Sequence, residues 1–208
     1  RSTLFPYTTL FRSLFIALKD FSVAAGGFIG ARDEAAYQKA YAQSFLDGVQ
    51  PGSAVIAALS VALDELLTGD AYAASRVEQV HYLWRRLKDT IPVLHPAGGH
   101  GVFIDVARFL TQVPKENFAA EALAAFIYET SGVRLTKGPP LAPSQKERGV
   151  ELLRLAIPAR RYLQGHLDDT AEALLHAYAH REEIKGLRRI EKAGRPKYAP
   201  ALFAQLGQ

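Results

Sequence analysis

Cysteine is absent from all 208 residues, and so is methionine. The first absence removes a disulfide framework, a thiolate metal site and a cysteine nucleophile, so any chemistry falls to nitrogen and oxygen groups. Long apolar runs are missing too. No segment reaches the roughly 18 to 20 uninterrupted apolar residues of a membrane span, and the N-terminus lacks the charged, apolar, small-residue order of a signal peptide. The expectation is a soluble, cytoplasmic protein with no membrane partner. A strong excess of charge of either sign is also missing, with 25 Lys and Arg against 21 Asp and Glu for a net +4. Much of the excess lies in Lys185, Arg188, Arg189, Lys192, Arg195 and Lys197, opposed locally by Glu191. With no aromatic stacking platform beside it, this run is read as a solvated helix exit and tail, and no nucleic-acid partner is expected. A basic interaction module is the alternative reading.

What is present suffices for one substantial core, since 49% of the residues are hydrophobic and 22% charged. The opening is unusual: Arg1-Ser2-Thr3-Leu4-Phe5 is nearly repeated as Thr8-Thr9-Leu10-Phe11-Arg12-Ser13. Residues 1–13 are therefore expected to be a non-native junction, and the rest a C-terminal fragment of a longer protein.

Hydrophobic spacing then sets the elements. Gly26 to Ala31 reads as a short buried strand, followed by a helix from about Asp33 to Leu46. Asp47 to Ser53 is turn-rich, and Ser53 opens an alanine-rich helix to about Leu67. Val77, Val80, Trp84 and Leu87 recur at helical spacing in a long amphipathic helix, the linking element between two domains. Gly101 to Val106 reads as a strand, 118–131 as a helix stopped by Gly132, and Val133 to Thr136 as extended. Lys137 to Arg148, with Pro139, Pro140 and Pro143, is a loop; Glu151 to Ile157 is a strand, and 166–185 is a helix. Residues 14–70 are thus expected to be the remnant of one domain. Residues 71–208 supply the linking helix and a small α+β domain whose helices cover one sheet face, so the fold class is α/β to α+β.

Two side chains stand out chemically. Lys19 ends the apolar stretch Phe15-Ile16-Ala17-Leu18, directly before Asp20 and the Gly26-Gly27 strand. Desolvation lowers a lysine pKa and frees its lone pair to attack an aldehyde such as pyridoxal phosphate; the competing reading is a solvated lysine. Arg154 places a guanidinium within Leu152-Leu153-Arg154-Leu155-Ala156-Ile157. A charge there needs a partner, and an α-carboxylate matches its fork; an internal carboxylate or an exposed edge position are the alternatives. His176 and His180 stand four apart on one helix without acidic or cysteine ligands at suitable spacing, so no metal site is expected. His100 is read as a turn residue.

Taken in order, several segments resemble the C-terminal half of the aromatic amino acid β-eliminating lyases, the tryptophanase and tyrosine phenol-lyase family. They are Lys19-Asp20 with Gly26-Gly27, Arg76 to Val80 with Tyr82-Leu83, Gly98-Gly99-His100 with Val102 to Asp105, Gly132-Val133-Arg134, Leu153-Arg154-Leu155 with Ile157-Pro158, Ile184 to Leu187, and Pro196-Lys197. The resemblance implies the aspartate aminotransferase-like fold type I, pyridoxal 5′-phosphate as cofactor, an amino acid substrate and a homo-oligomeric parent, dimer or tetramer. It also implies that Lys19 is the catalytic and cofactor-binding lysine and that Arg154 holds the substrate carboxylate. Release of pyruvate and ammonia is the reaction implied; an aminotransferase or threonine aldolase-like activity on the same fold is the alternative. The chain departs from the family at Leu18, at Pro51 to Ala54, at Lys137 and at Ala201-Leu202. An amino acid other than tryptophan or tyrosine is therefore the expected substrate, and the chain alone, without the half that holds the cofactor phosphate, is expected to be inactive.

Overall fold

The structure is a computed structural model, and it describes residues 11–16, 23–31, 33–48, 51–69, 71–138, 151–190 and 201–207. The chain divides into two compact units, one running to Ala74 and including Pro158–Arg160, the other made of Ser75–Ile157 and Arg161–Gln208.

In the first unit, β1 (Phe11–Ile16) pairs antiparallel with β2 (Gly27–Ala31). Helix α1 (Glu34–Leu46) begins where Asp33 accepts a hydrogen bond from the Ala36 backbone N–H at 2.8 Å, which satisfies one of the free amides of the first turn. Helix α2 (Ser53–Thr68) follows the Pro51-Gly52 break. Among the described residues of this unit, Val23, Ala36 and Ala159 are the buried ones.

The second unit holds the core. Helix α3 (Ala71–Leu87) buries Val80, Leu83 and Leu87, three positions one helical turn apart. Strand β3 (Gly101–Asp105) runs into the short helix α4 (Val106–Phe109), and α5 (Ala119–Ser131) ends at Gly132, whose φ of 75° suits glycine and lets its N–H reach the Tyr128 carbonyl. Strands β4 (Thr136–Lys137) and β5 (Leu152–Ala156) complete a three-stranded antiparallel sheet in the order β3-β5-β4. Close strand approach is possible at Gly101 because a Cβ there would stand 2.6 Å from the Leu155 carbonyl oxygen. Val102 and Ile104 face the core opposite Leu155 and Leu153, so alternation puts Phe103 and Arg154 on the other face of the sheet. Helix α6 (Gln164–Ala179) buries Leu167, Ala171 and Leu174 against this core.

Two sequence expectations are corrected. The last helix stops at Ala179 rather than 185, because His180 leaves helical geometry and Arg181–Glu183 tighten into a 3₁₀ turn. Within the basic segment, Arg188 and Arg189 lie on a strand rather than at a helix exit: Leu187–Ile190 form β6, paired antiparallel with β7 (Leu202–Gln205), while Lys192, Arg195 and Lys197 lie outside the described residues. The coarse class, helices with small sheets, agrees with the expectation of mixed α and β structure.

Candidate active site

The site is built on the central strand. β5 alternates Leu153 and Leu155 into the core, which turns Arg154 outward between two neighbours, Phe103 across on β3 and Thr136 across on β4. Arg154 is half-buried, and its Nε is fully buried with no hydrogen-bond partner. An unsatisfied buried donor on a permanent cation is costly, and an anion is the natural complement. The backbone around it is pinned. The Thr136 hydroxyl donates to the Arg154 carbonyl at 3.4 Å, and the Arg76 guanidinium donates to the Ile157 carbonyl at 2.7 Å, where the strand ends before Pro158.

Beside Thr136, Lys137 forms an ionic clasp that sequence reading did not foresee. Its Nζ lies 2.9 Å from Glu121 on α5 and 3.1 Å from Glu151, whose side chain is only 6% exposed. Burial disfavours the Lys137 ammonium, but hydrogen bonds to Glu121 and Glu151 outweigh it, and the pKa stands above the ordinary lysine value. The clasp joins the two-residue strand β4 to the start of β5, where the Gly138 N–H also donates to the Leu152 carbonyl at 2.7 Å. A signal existed only in part: a lysine before a glycine was visible, but its carboxylate partners lie 16 and 14 residues away.

Lys19 and Asp20 lie outside the described residues; among the described ones, Phe103 and Thr136 are the cross-strand neighbours of Arg154, while Lys137 pairs with core-facing Leu153 on the opposite face of the sheet. His176 and His180 stack with ring centroids 4.2 Å apart, and His180 Nδ1 approaches the His176 carbonyl at 2.9 Å, an arrangement that closes the end of α6. His100 contacts the Phe103 ring edge-on at 6.1 Å between centroids. Among the described residues, no group of three or more His, Asp or Glu is placed to hold a metal ion, and no helix is long and apolar enough to cross a membrane.

Comparison with known proteins gives these positions a context. The chain is 35% identical over 198 residues to the tyrosine phenol-lyase of Symbiobacterium sp. (strain SC-1), an overlap of 89% of this chain and 43% of that protein. Similarity to the β-eliminating lyases of aromatic amino acids is thereby shown. The tyrosine phenol-lyase of Nostoc punctiforme is 36% identical over 194 residues, covering 86% of this chain and 40% of the relative. A protein named probable tryptophanase from Aeropyrum pernix is 36% identical over 189 residues, with 85% and 40% covered. No family model matches the chain. The chain thus spans about two fifths of the length of the curated relatives it matches. Tyrosine phenol-lyases and tryptophanases are carbon–carbon lyases that depend on pyridoxal 5′-phosphate.

Proposed function

We propose that this chain is the C-terminal part of a pyridoxal 5′-phosphate-dependent lyase of fold type I that performs β-elimination on an amino acid, converting it with water to pyruvate, ammonia and the protonated β-substituent. The observation that carries the reading is the match to two such lyases over more than four fifths of the chain. Residues 14–70 belong in this reading to the large cofactor-binding domain, 71–208 to the linking helix and small domain, and 1–13 to a foreign junction. The parent works as a homo-oligomer in the cytoplasm.

The residues present fit the chemistry. The buried, unpartnered Nε of Arg154 suits the carboxylate of an amino acid, which a guanidinium orients through two parallel hydrogen bonds. Lys19 would hold the cofactor through its Nζ. When bound, the cofactor supplies an electron sink for the Cα carbanion. Arg154 fixes the substrate against rotation while the Cα proton leaves, and the pinned strand keeps the guanidinium in register.

The test uses the full-length protein. With cofactor added, an absorbance band of the lysine-bound cofactor is expected and is lost in Lys19→Ala, while Arg154→Ala lowers kcat/KM by roughly tenfold to a hundredfold through loss of charged hydrogen bonds. Persistence of the band in Lys19→Ala, or exchange with keto acids in place of pyruvate and ammonia release, would overturn the reading.

A further inference from the structure

We infer that Lys137 is a positioning residue for Arg154: by bridging Glu121 and Glu151 it locks β4 against β5 in the register that sets the guanidinium. This rests on the proposed carboxylate role of Arg154 and deepens it, because it names what holds that group in place. Lys137 stands opposite Leu153, on the other face of the sheet from Arg154, so it acts through the backbone and not by touching substrate.

The edge beside Arg154 needs such a lock. β4 is two residues long, both exposed, and lies at the edge of the β3-β5-β4 sheet. A strand that short has too few ladder bonds to fix its own register. The Thr136 hydroxyl reaches the Arg154 carbonyl only at 3.4 Å, a long bond. The contacts of Lys137 are shorter, 2.9 Å to Glu121 and 3.1 Å to Glu151, and they tie the edge to two fixed points. Glu121 lies in the first turn of α5, whose Ala120, Ala122 and Leu123 are buried, and Glu151 directly precedes β5 and is 6% exposed.

Removing the cation does more than delete two contacts. Both carboxylates touch the same ammonium, so they stand within about 6 Å of each other, a distance at which like charges repel when little water lies between them. Glu121 Oε2 is already buried without a hydrogen-bond partner, so that carboxylate depends on Lys137 among the described residues. Burial disfavours the Lys137 ammonium, but hydrogen bonds to Glu121 and Glu151 outweigh it and hold the pKa above the ordinary lysine value. Near neutral pH Lys137 is therefore a fixed cation and not a proton acceptor.

The experiment measures pyruvate release from S-methylcysteine by the full-length lyase in a double-mutant cycle of Lys137→Met and Arg154→Ala. With Arg154 present, Lys137→Met should lower kcat/KM about tenfold, chiefly through a higher KM, as a misplaced binding group does. In the Arg154→Ala background the same change should alter kcat/KM by less than about twofold, because the group it positions is gone. Lys137→Arg, which keeps both carboxylates bridged, should stay within about twofold of the wild type. Should Lys137→Met fail to fold, Glu121→Gln, which leaves the Glu151 contact, carries the same cycle. Where Arg154→Ala is too slow to assay, the split between KM and kcat decides. An unchanged kcat/KM, a loss that falls on kcat with KM constant, or an equal loss in both Arg154 backgrounds overturns the positioning role and leaves the lyase reading intact. No pyruvate from the wild-type protein overturns the lyase reading itself, and the positioning role falls with it.

Discussion

Helices α2 and α5 have similar apolar composition and different fates. In α2, Ser53–Thr68, Asp64 and Glu65 are the charged residues, yet the helix buries none of its side chains, and Leu67 is 85% exposed. In α5, Ala119–Ser131, the charged residues are Glu121 and Glu129, and five side chains are buried, with Leu123 and Ile127 at 0%. Composition alone therefore does not decide burial; a facing layer does. α5 has the β3-β5-β4 sheet and α6 to pack on, whereas α2, apolar on most sides, is covered only in part, at Val55, Leu59, Ala62 and Leu63, among the described residues.

The sharpest way to break this comparison is to truncate one leucine in each helix. Leu123→Ala removes a fully buried side chain and should cost about 3 kcal/mol, as large-to-small changes in a packed core do. Leu67→Ala should change stability by less than about 0.5 kcal/mol, because its side chain already faces water. Urea unfolding of the two variants beside the parent chain gives both numbers. Equal costs would mean that α2 is packed in solution and that the contrast is wrong.

The same contrast explains what the sequence made legible. Periodicity located α3, α5 and β5 closely, because each puts an apolar stripe or alternation onto a real core: Val80, Leu83 and Leu87 one turn apart, Leu153 and Leu155 two residues apart. It missed β6, where Leu187 and Ile190 flank Arg188 and Arg189 without alternation and the partner strand begins at Leu202. Arg154 was conspicuous as a charge inside an apolar strand. Its neighbours Phe103 and Thr136 were not, since cross-strand register over 51 and 18 residues is a tertiary outcome that no local pattern encodes. Glu121 and Glu151 were invisible for the same reason: each looks like an ordinary surface carboxylate until α5 and β5 bring both onto Lys137.

That clasp sharpens the comparison electrostatically. Lys137→Met leaves the buried Glu151 carboxylate without its cation and should cost about 2 kcal/mol, discounted from a fully buried pair because Lys137 itself is half exposed. Lys137→Arg should recover most of the loss. The pH dependence follows from the raised pKa of Lys137: its contribution is fully present below the ordinary lysine pKa and is lost as pH rises through the higher folded-state value. The gap between parent and Lys137→Met should therefore be constant through neutral pH and close only under strongly alkaline conditions. Urea midpoints at neutral and alkaline pH test this, and a gap that closes near neutrality would contradict the clasp.

The smallest effect belongs to the first unit's own ion pair. Arg160 lies 3.1 Å from Glu65 on α2, and its guanidinium carbon stands 3.2 Å from the centroid of the Tyr72 ring. Both charged side chains are substantially exposed, at 38% and 56%, so Glu65→Gln should cost no more than about 0.5 kcal/mol. Salt distinguishes this pair from the clasp. At about 1 M salt the screening length shrinks to roughly 3 Å, so the cost of Glu65→Gln should vanish. The cost of Lys137→Met should largely survive, because the Glu151 side chain is only 6% exposed and counterions reach it poorly. Measuring both variants at low and high salt decides whether the difference between the units lies in burial: a Lys137→Met cost that falls to zero with salt would place the clasp at the surface, on a par with Arg160 and Glu65.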